Sequence, residues 1–557
     1  LGSDAGKLGA ADDGPKTLAV VALSGWQPLM DDINYLGGLA GKPQQAQGIE
    51  GMINLFTQGK GLQGLDRSKP WGVVVQFDGG QPVPVICLPI DDLDGMLQIA
   101  QAFGVVADDA GGGVKELSVP QSPQPLFAKQ DGAWVYVSQS AEALDAAPAD
   151  PTDTLSELVT EHDLAARVLA QNVPAIYRQM AVGALRQGLQ EGLERESGET
   201  DEEYEARREL AELQLDQMVS LIEDMETLSV GIAINEEVGP GMVIDFSATA
   251  VDGSELAEQM VGMRDATTNF AGFMDESATM HMNITVESPP ELVAKQRAQA
   301  EAAIAPLRKQ MLDAIDKEES VPSEEAREIF KSAANDLFDV YAEVVLSGNL
   351  DAAIKLNVTS DSFSLLGGAA VASPEKVESA LKKLSEIAKD EPNAPAVNWN
   401  AESHSGITFH TIALPVPPGI PPAAADILGD TVELAFGIGE ERVYVAAGKD
   451  WLSAITAAMD ASAEQGPTLT KPMTLKLSAT SIAKLATLMD GENQAMARLF
   501  ADALAESTGD DHISLTIDAI ERGFRYRLQI EEGVLRAAGG MAEAMARQAG
   551  AGRQPPF

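Results

Sequence analysis

One succession of elements runs through this chain twice, and that repetition limits its fold more than any other feature. Trp134-Val135-Tyr136-Val137, followed by Leu144, matches Arg442-Val443-Tyr444-Val445, followed by Leu452, at an offset of 308. Ile244, Phe246, Ala248 and Ala250 alternate ahead of Gly253. Phe524, Tyr526, Leu528 and Ile530 alternate ahead of Gly533, at an offset of 280. Period-two alternation marks strands with one face buried. The stretches between these anchors keep one order. Residues 18–23 read as a strand leading into a helix, and residues 280–286 as another leading into a helix over 292–315. Residues 72–77 with 83–88, and 352–358 with 363–371, read as hairpins that each precede a helix. For the second helix Ser373 supplies the N-cap and Pro374 the first residue.

Hairpins followed by helices predict an α+β fold: two tandem related domains, each an antiparallel sheet, flat or curled, with helices packed mainly on one face. The expected limits are 17–275 and 276–546. The polar, small-residue segments 1–16 and 547–557 are expected to be flexible. A long helix is expected after Thr200 and Glu203, which stand at capping-box spacing, with Leu210, Leu213, Met218, Ile222 and Met225 as its core stripe.

Asp163-Leu164-Ala165, Asn172-Val173-Pro174, Tyr177-Arg178-Gln179, residues 198–204 and 207–212, and Ala248-Thr249-Ala250-Val251-Asp252-Gly253-Ser254 carry a resemblance. Over residues 65–260 the chain resembles a family of large exported proteins of unknown function from planctomycete bacteria. The resemblance supplies no catalytic residue. It implies an extracytoplasmic setting, in the periplasm or at the cell surface. The first residue is Leu1 rather than Met, and there is a single cysteine; both fit a removed signal peptide.

Charge and motif together narrow the chemistry. With 39 Lys and Arg against 85 Asp and Glu, the net charge is −46, which argues against nucleic acid as a partner and against an anionic membrane surface. No apolar run reaches the ~18 residues that a membrane span needs. Gly59-Lys60-Gly61-Leu62-Gln63-Gly64 has dinucleotide-loop spacing but follows a helical stretch rather than a strand, so it reads as a helix end and loop. Cys87, within an apolar strand, reads as a small buried hydrophobe. Asp91-Asp92 with Asp94, and Asp108-Asp109, have the chemistry to bind calcium weakly, although helix caps and turns account for them as well. Glu402, His404 and His410 are a weak candidate zinc set: the two histidines, six apart on alternating sequence, are expected on one side with the carboxylate. In Met280-His281-Met282 the methionines are expected to point away from the histidine. No catalytic or cofactor-binding residue emerges.

The first expectation is therefore a non-enzymatic, exported cell-envelope protein that acts by assembly or protein–protein contact. The alternative is a carrier of lipid or another apolar ligand held between sheet and helices, with Phe246, Phe524, Tyr526, Met541 and Met545 as candidate lining. A hydrolase with an unidentified site comes third.

Overall fold

The computed structural model describes residues 16–551 except 78–80, 91, 121, 146, 149, 194, 196–199, 236–239, 263, 319–320, 322, 360–361, 389–394, 396, 417–419, 421 and 489–493. Of the expected flexible ends, 1–15 and 552–557 fall outside the described residues, as do Asp91 and the side chains of Glu203, Leu210 and Leu213.

The chain opens with β1 (Lys16–Leu23), α1 (Trp26–Leu39), α2 (Gln45–Phe56), β2 (Trp71–Phe77), β3 (Pro82–Leu88) and α3 (Leu93–Gln101). Four strands follow, β4 (Val106–Gly111), β5 (Val114–Ser118), β6 (Leu126–Asp131) and β7 (Trp134–Ser138), then α4 (Ala141–Asp145) and α5 (Thr152–Leu158). Next come β8 (Leu164–Leu169), α6 (Ala175–Gly192), α7 (Asp201–Asp224), β9 (Met225–Asn235), β10 (Gly241–Ala250) and α8 (Glu255–Met260). After the short β11 (Ala266–Thr268) come β12 (Met280–Glu287), α9 (Pro290–Lys317), α10 (Glu324–Ser347), β13 (Asn349–Val358), β14 (Phe363–Ala370) and α11 (Pro374–Ala388). Then come β15 (Val397–His404), β16 (Ile407–Pro415), α12 (Pro422–Leu428), β17 (Thr431–Ile438), β18 (Arg442–Gly448) and α13 (Trp451–Gln465). The last are β19 (Thr468–Thr470), β20 (Met473–Ser478), α14 (Ala479–Leu488), α15 (Gln494–Glu506), β21 (His512–Ile520), β22 (Gly523–Glu531) and α16 (Glu532–Ala551).

Packing divides the chain into two compact units, Leu1–Tyr177 with Glu226–Ser247, and Arg178–Met225 with Ala248–Phe557. In the first, antiparallel ladders give the strand order β4-β5-β6-β7-β3-β2-β1-β8-β9, with β10 beside β9. In the second, they give β15-β16-β17-β18-β14-β13-β12-β20-β21-β22. Position for position the two orders agree, although the repeat and the compact units do not share boundaries. The α+β class and the antiparallel sheets are those the alternation calls for.

Helices pack on both faces rather than mainly on one. On β3, Val85 and Cys87 face α4 and α5 through Leu144, Leu155 and Leu158. Ile86 between them joins Leu93 and Leu97 of α3 on the other side. In the second unit Phe409, Ala435, Tyr444 and Ala446 pack under Trp451, Ile455 and Met459 of α13. The opposite face meets α11, where Glu378 Oε1 lies 3.5 Å from His410 Nε2. Helix ends are closed locally. Ser323 caps α10 by accepting from Ala326 N at 3.1 Å, and Gly348 ends it at φ 69°, a left-handed conformation that costs glycine little.

Candidate apolar binding faces

Strand β12 sets out the central observation. Its side chains alternate, so Met280, Met282 and Ile284 share one face while His281, Asn283 and Thr285 share the other. A one-sided sheet in water normally buries its apolar face. Here the polar residues are the buried ones: His281 is 3% exposed, Asn283 0% and Thr285 2%, while the apolar three are only half-buried. Hydrogen bonds explain how the polar face is tolerated. Asn283 Nδ2 donates to Thr268 Oγ1 at 3.1 Å, Thr268 Oγ1 donates to Asp351 at 2.7 Å, and Thr285 Oγ1 donates to Asn283 Oδ1 at 3.0 Å. His281 Nδ1 lies 2.9 Å from the Asp275 carbonyl and so carries the proton there; burial holds this imidazole below its ordinary pKa.

Register extends the apolar face across the second unit. One row of directly paired residues runs His410, Phe436, Val445, Gly367, Ile354, Met282, Leu475, Leu515, Leu528. The row beside it adds Ile284, Met473, Ile517 and Tyr526. At the His410 end α11 covers this face. From β12 to β22 the large apolar side chains are only half-buried, with Ile513 and Ile530 at one edge packed against α14, α15 and α16.

The first unit repeats the arrangement. Its row runs Ala128, Val137, Ile86, Val73, Val21, Ala166, Val230. Here α3 covers the Ala128 end. On β8, β9 and β10 the face opens further, with Leu164 39%, Val168 44%, Val230 41% and Phe246 36% exposed. Behind Val230, Gly231 lies against the ring of His162: a Cβ there would come within 2.3 Å of Cδ2. That ring is held by Asp245 Oδ2, 3.0 Å from Nε2.

The expected lining residues divide between the open face and local clusters. Phe246 is on the open face. Phe524 packs against Leu256 and Met260 of α8, with the Tyr526 ring edge-on at 5.0 Å. Met541 and Met545 are half-buried on α16.

Glu402, His404 and His410 do not converge. Ser405 and Gly406 form a tight turn, so His404 pairs with Ile407 and shares the α13 face, where its Nε2 lies 2.7 Å from Asp460. His410 points to the α11 face, is 2% exposed, and accepts from Asn400 N at Nδ1, 3.0 Å. Glu402, opposite Phe409, opens onto a polar cleft of about 430 Å³ with Glu433, Lys449 and Trp451 and neither histidine. Among the described residues no group of three His, Cys, Asp or Glu is placed to hold a metal ion. Asp92 caps α3 through Gly95 N at 2.9 Å, and Asp109 accepts from Gly111 N at 3.0 Å. Cys87 is fully buried, which pushes its thiol up to about 12. The Gly59–Gly64 stretch is a loop after α2.

A buried acid escaped the sequence reading. Asp32 of α1 is 6% exposed, and its Oδ2 has no hydrogen-bond partner among the described residues. Burial, with Asp163 and Asp31 adding repulsion, pushes its pKa to about 7. In sequence it is one of two adjacent aspartates in a helix, without a distinguishing signal. No helix is long and apolar enough to cross a membrane among the described residues. No family model, curated protein or solved structure matches the chain.

Proposed function

We propose that this protein is a non-enzymatic carrier of lipid or another apolar molecule, working outside the cytoplasm, with its cargo lying on the open apolar sheet faces. The observation that carries this reading is the inverted burial on β12, where polar side chains are enclosed and Met280, Met282 and Ile284 are left half-open. Apolar area left partly in water is free energy that a ligand recovers on covering it, at about 25 cal/mol per Å². Extended acyl chains suit such a face because they need contact area and no directional partner. Tandem copies of one ancestral unit would give the chain two faces of this kind. Native mass spectrometry of gently purified protein tests the proposal: a bound mass that organic extraction removes is expected, and a spectrum of bare chain after exposure to lipid extract refutes it.

Assembly through protein contact is the second reading, favoured by one stripe along α10: Phe330, Leu337, Tyr341 and Val345 are 41%, 44%, 49% and 38% exposed at helical spacing. A calcium ion screening the −46 charge would promote it. Light scattering with and without calcium decides: an unchanged monomer mass in both conditions removes this reading.

A further inference from the structure

Helix α2 is amphipathic the wrong way round for a helix packed on a core. Among its described side chains only Ala46 is buried, while Met52, Leu55 and Phe56, at i, i+3 and i+4, are 57%, 77% and 58% exposed. Beyond the end of α3, Phe103 is 53% exposed, and its ring lies 6.2 Å from that of Phe56, so it extends the apolar side of α2. The exposure of these side chains exceeds that of the open sheet faces, and single exposed apolar residues do not account for a contiguous cluster.

Local charge indicates what covers the patch. Residues 42–70 carry four cations (Lys42, Lys60, Arg67, Lys69) and two acids (Glu50, Asp66) in a chain whose net charge is −46. Arg67 pairs with Glu50 at 3.3 Å and Lys69 with Asp66 at 3.6 Å. Lys42 and Lys60, one on either side of α2, are exposed and make no ion pair among the described residues. A second copy of the chain would bring another −46 with it and be repelled. Apolar side chains flanked by lysines match the acyl boundary and phosphate layer of a zwitterionic bilayer, which carries no net charge to repel the chain.

We infer that α2, with Phe103, docks on a zwitterionic lipid bilayer surface, seating its apolar side chains among the acyl chains and Lys42 and Lys60 at the phosphates. This docking does not rest on the cargo reading, and a variant blocked on the sheet face (Val230→Asp) is expected to bind vesicles normally.

Sedimentation with phosphatidylcholine vesicles tests it, comparing the full chain with the Leu55→Asp, Phe56→Asp double variant. Both replaced residues are more than half exposed, so the variant is expected to melt with the wild type. Its vesicle partitioning is expected to fall by about tenfold or more. Met52→Ser with Phe103→Ser, as a second variant, is expected to weaken binding in the same direction and guards against a folding defect in the first. Wild-type protein that stays in the supernatant overturns the inference, as do variants that partition like wild type. So does a lipid-free wild-type dimer that the first variant splits, since the patch would then be a contact between copies.

Discussion

Replacing Val230 by aspartate probes the open face of the first unit at its middle. Val230 lies opposite Ala166, with Leu164 and Val168 to either side of that partner. Fully burying a side chain of this class is worth about 2 kcal/mol, and roughly 40% of each remains exposed, so a ligand covering one gains ~0.8 kcal/mol. Leu164, Val168, Val230 and Phe246 together offer ~3 kcal/mol, or ~150-fold in affinity. Aspartate removes one share and places a carboxylate beneath the ligand, at a cost of several kcal/mol. In the free protein the same carboxylate reaches water, and the strand loses only about 1 kcal/mol. Titration with cis-parinaric acid, whose fluorescence rises in apolar surroundings, should therefore show a dissociation constant raised by more than about a hundredfold. Val230→Ile is expected to bind at least as tightly as wild type. Equal binding by the aspartate variant refutes the argument, because no ligand could then be covering β9.

Three further outcomes follow from the geometry. Asp32 titrates near 3.8 unfolded and about 7 folded, so between these values the folded state holds a proton that the unfolded state lacks, and stability falls as pH rises from 3.8 to 7. Asp32→Asn should raise the melting temperature at pH 8, by roughly 2–4 kcal/mol of stability, and by nothing near pH 4; a gain equal at both pH values contradicts the assignment. His281 and His410 are held neutral by burial, so their contribution is present above their unfolded pKa of 6.5 and is lost as pH falls through and below it. Their imidazole resonances should titrate below that value, and titration at or above it would exclude the buried, neutral tautomers described. Gly231→Ala should cost about 1–3 kcal/mol and displace His162 from Asp245, read as a lowered denaturant midpoint; an unchanged midpoint would mean that the ring does not lie on β9.

Much of the fold was written in local pattern. Alternation at 244–250 and 524–530, and the shared Val-Tyr-Val of β7 and β18, locate strands that do pair at corresponding places in the two ladders. Pro374 opens α11 as its fixed φ favours. The failures have physical causes. His404 and His410 are an even number apart, which would put them on one face of a continuous strand, but the turn at Ser405-Gly406 reverses the chain and breaks that parity. The β4–β5 hairpin is obscured by Ala, Asp and Gly at positions where a strand usually shows large apolar residues. Alternation also cannot say which face is enclosed, because burial depends on what packs there. On β12 the polar face won, through Thr268 and Asp351, which are remote in sequence.

Strand order also dictates when each sheet can close during synthesis. β1 sits between β2 and β8, and β12 between β13 and β20, so each central strand is made first and receives its second neighbour only after most of its unit has emerged. Until Leu164 reaches Leu23, and Met473 reaches Ile284, a nascent chain presents an unpaired backbone edge beside a row of Val, Ile and Met. Such long-range pairing is slow, and the waiting edge invites aggregation. Each sheet therefore carries its own late-closing seam, and the two are exposed one after the other as the chain emerges.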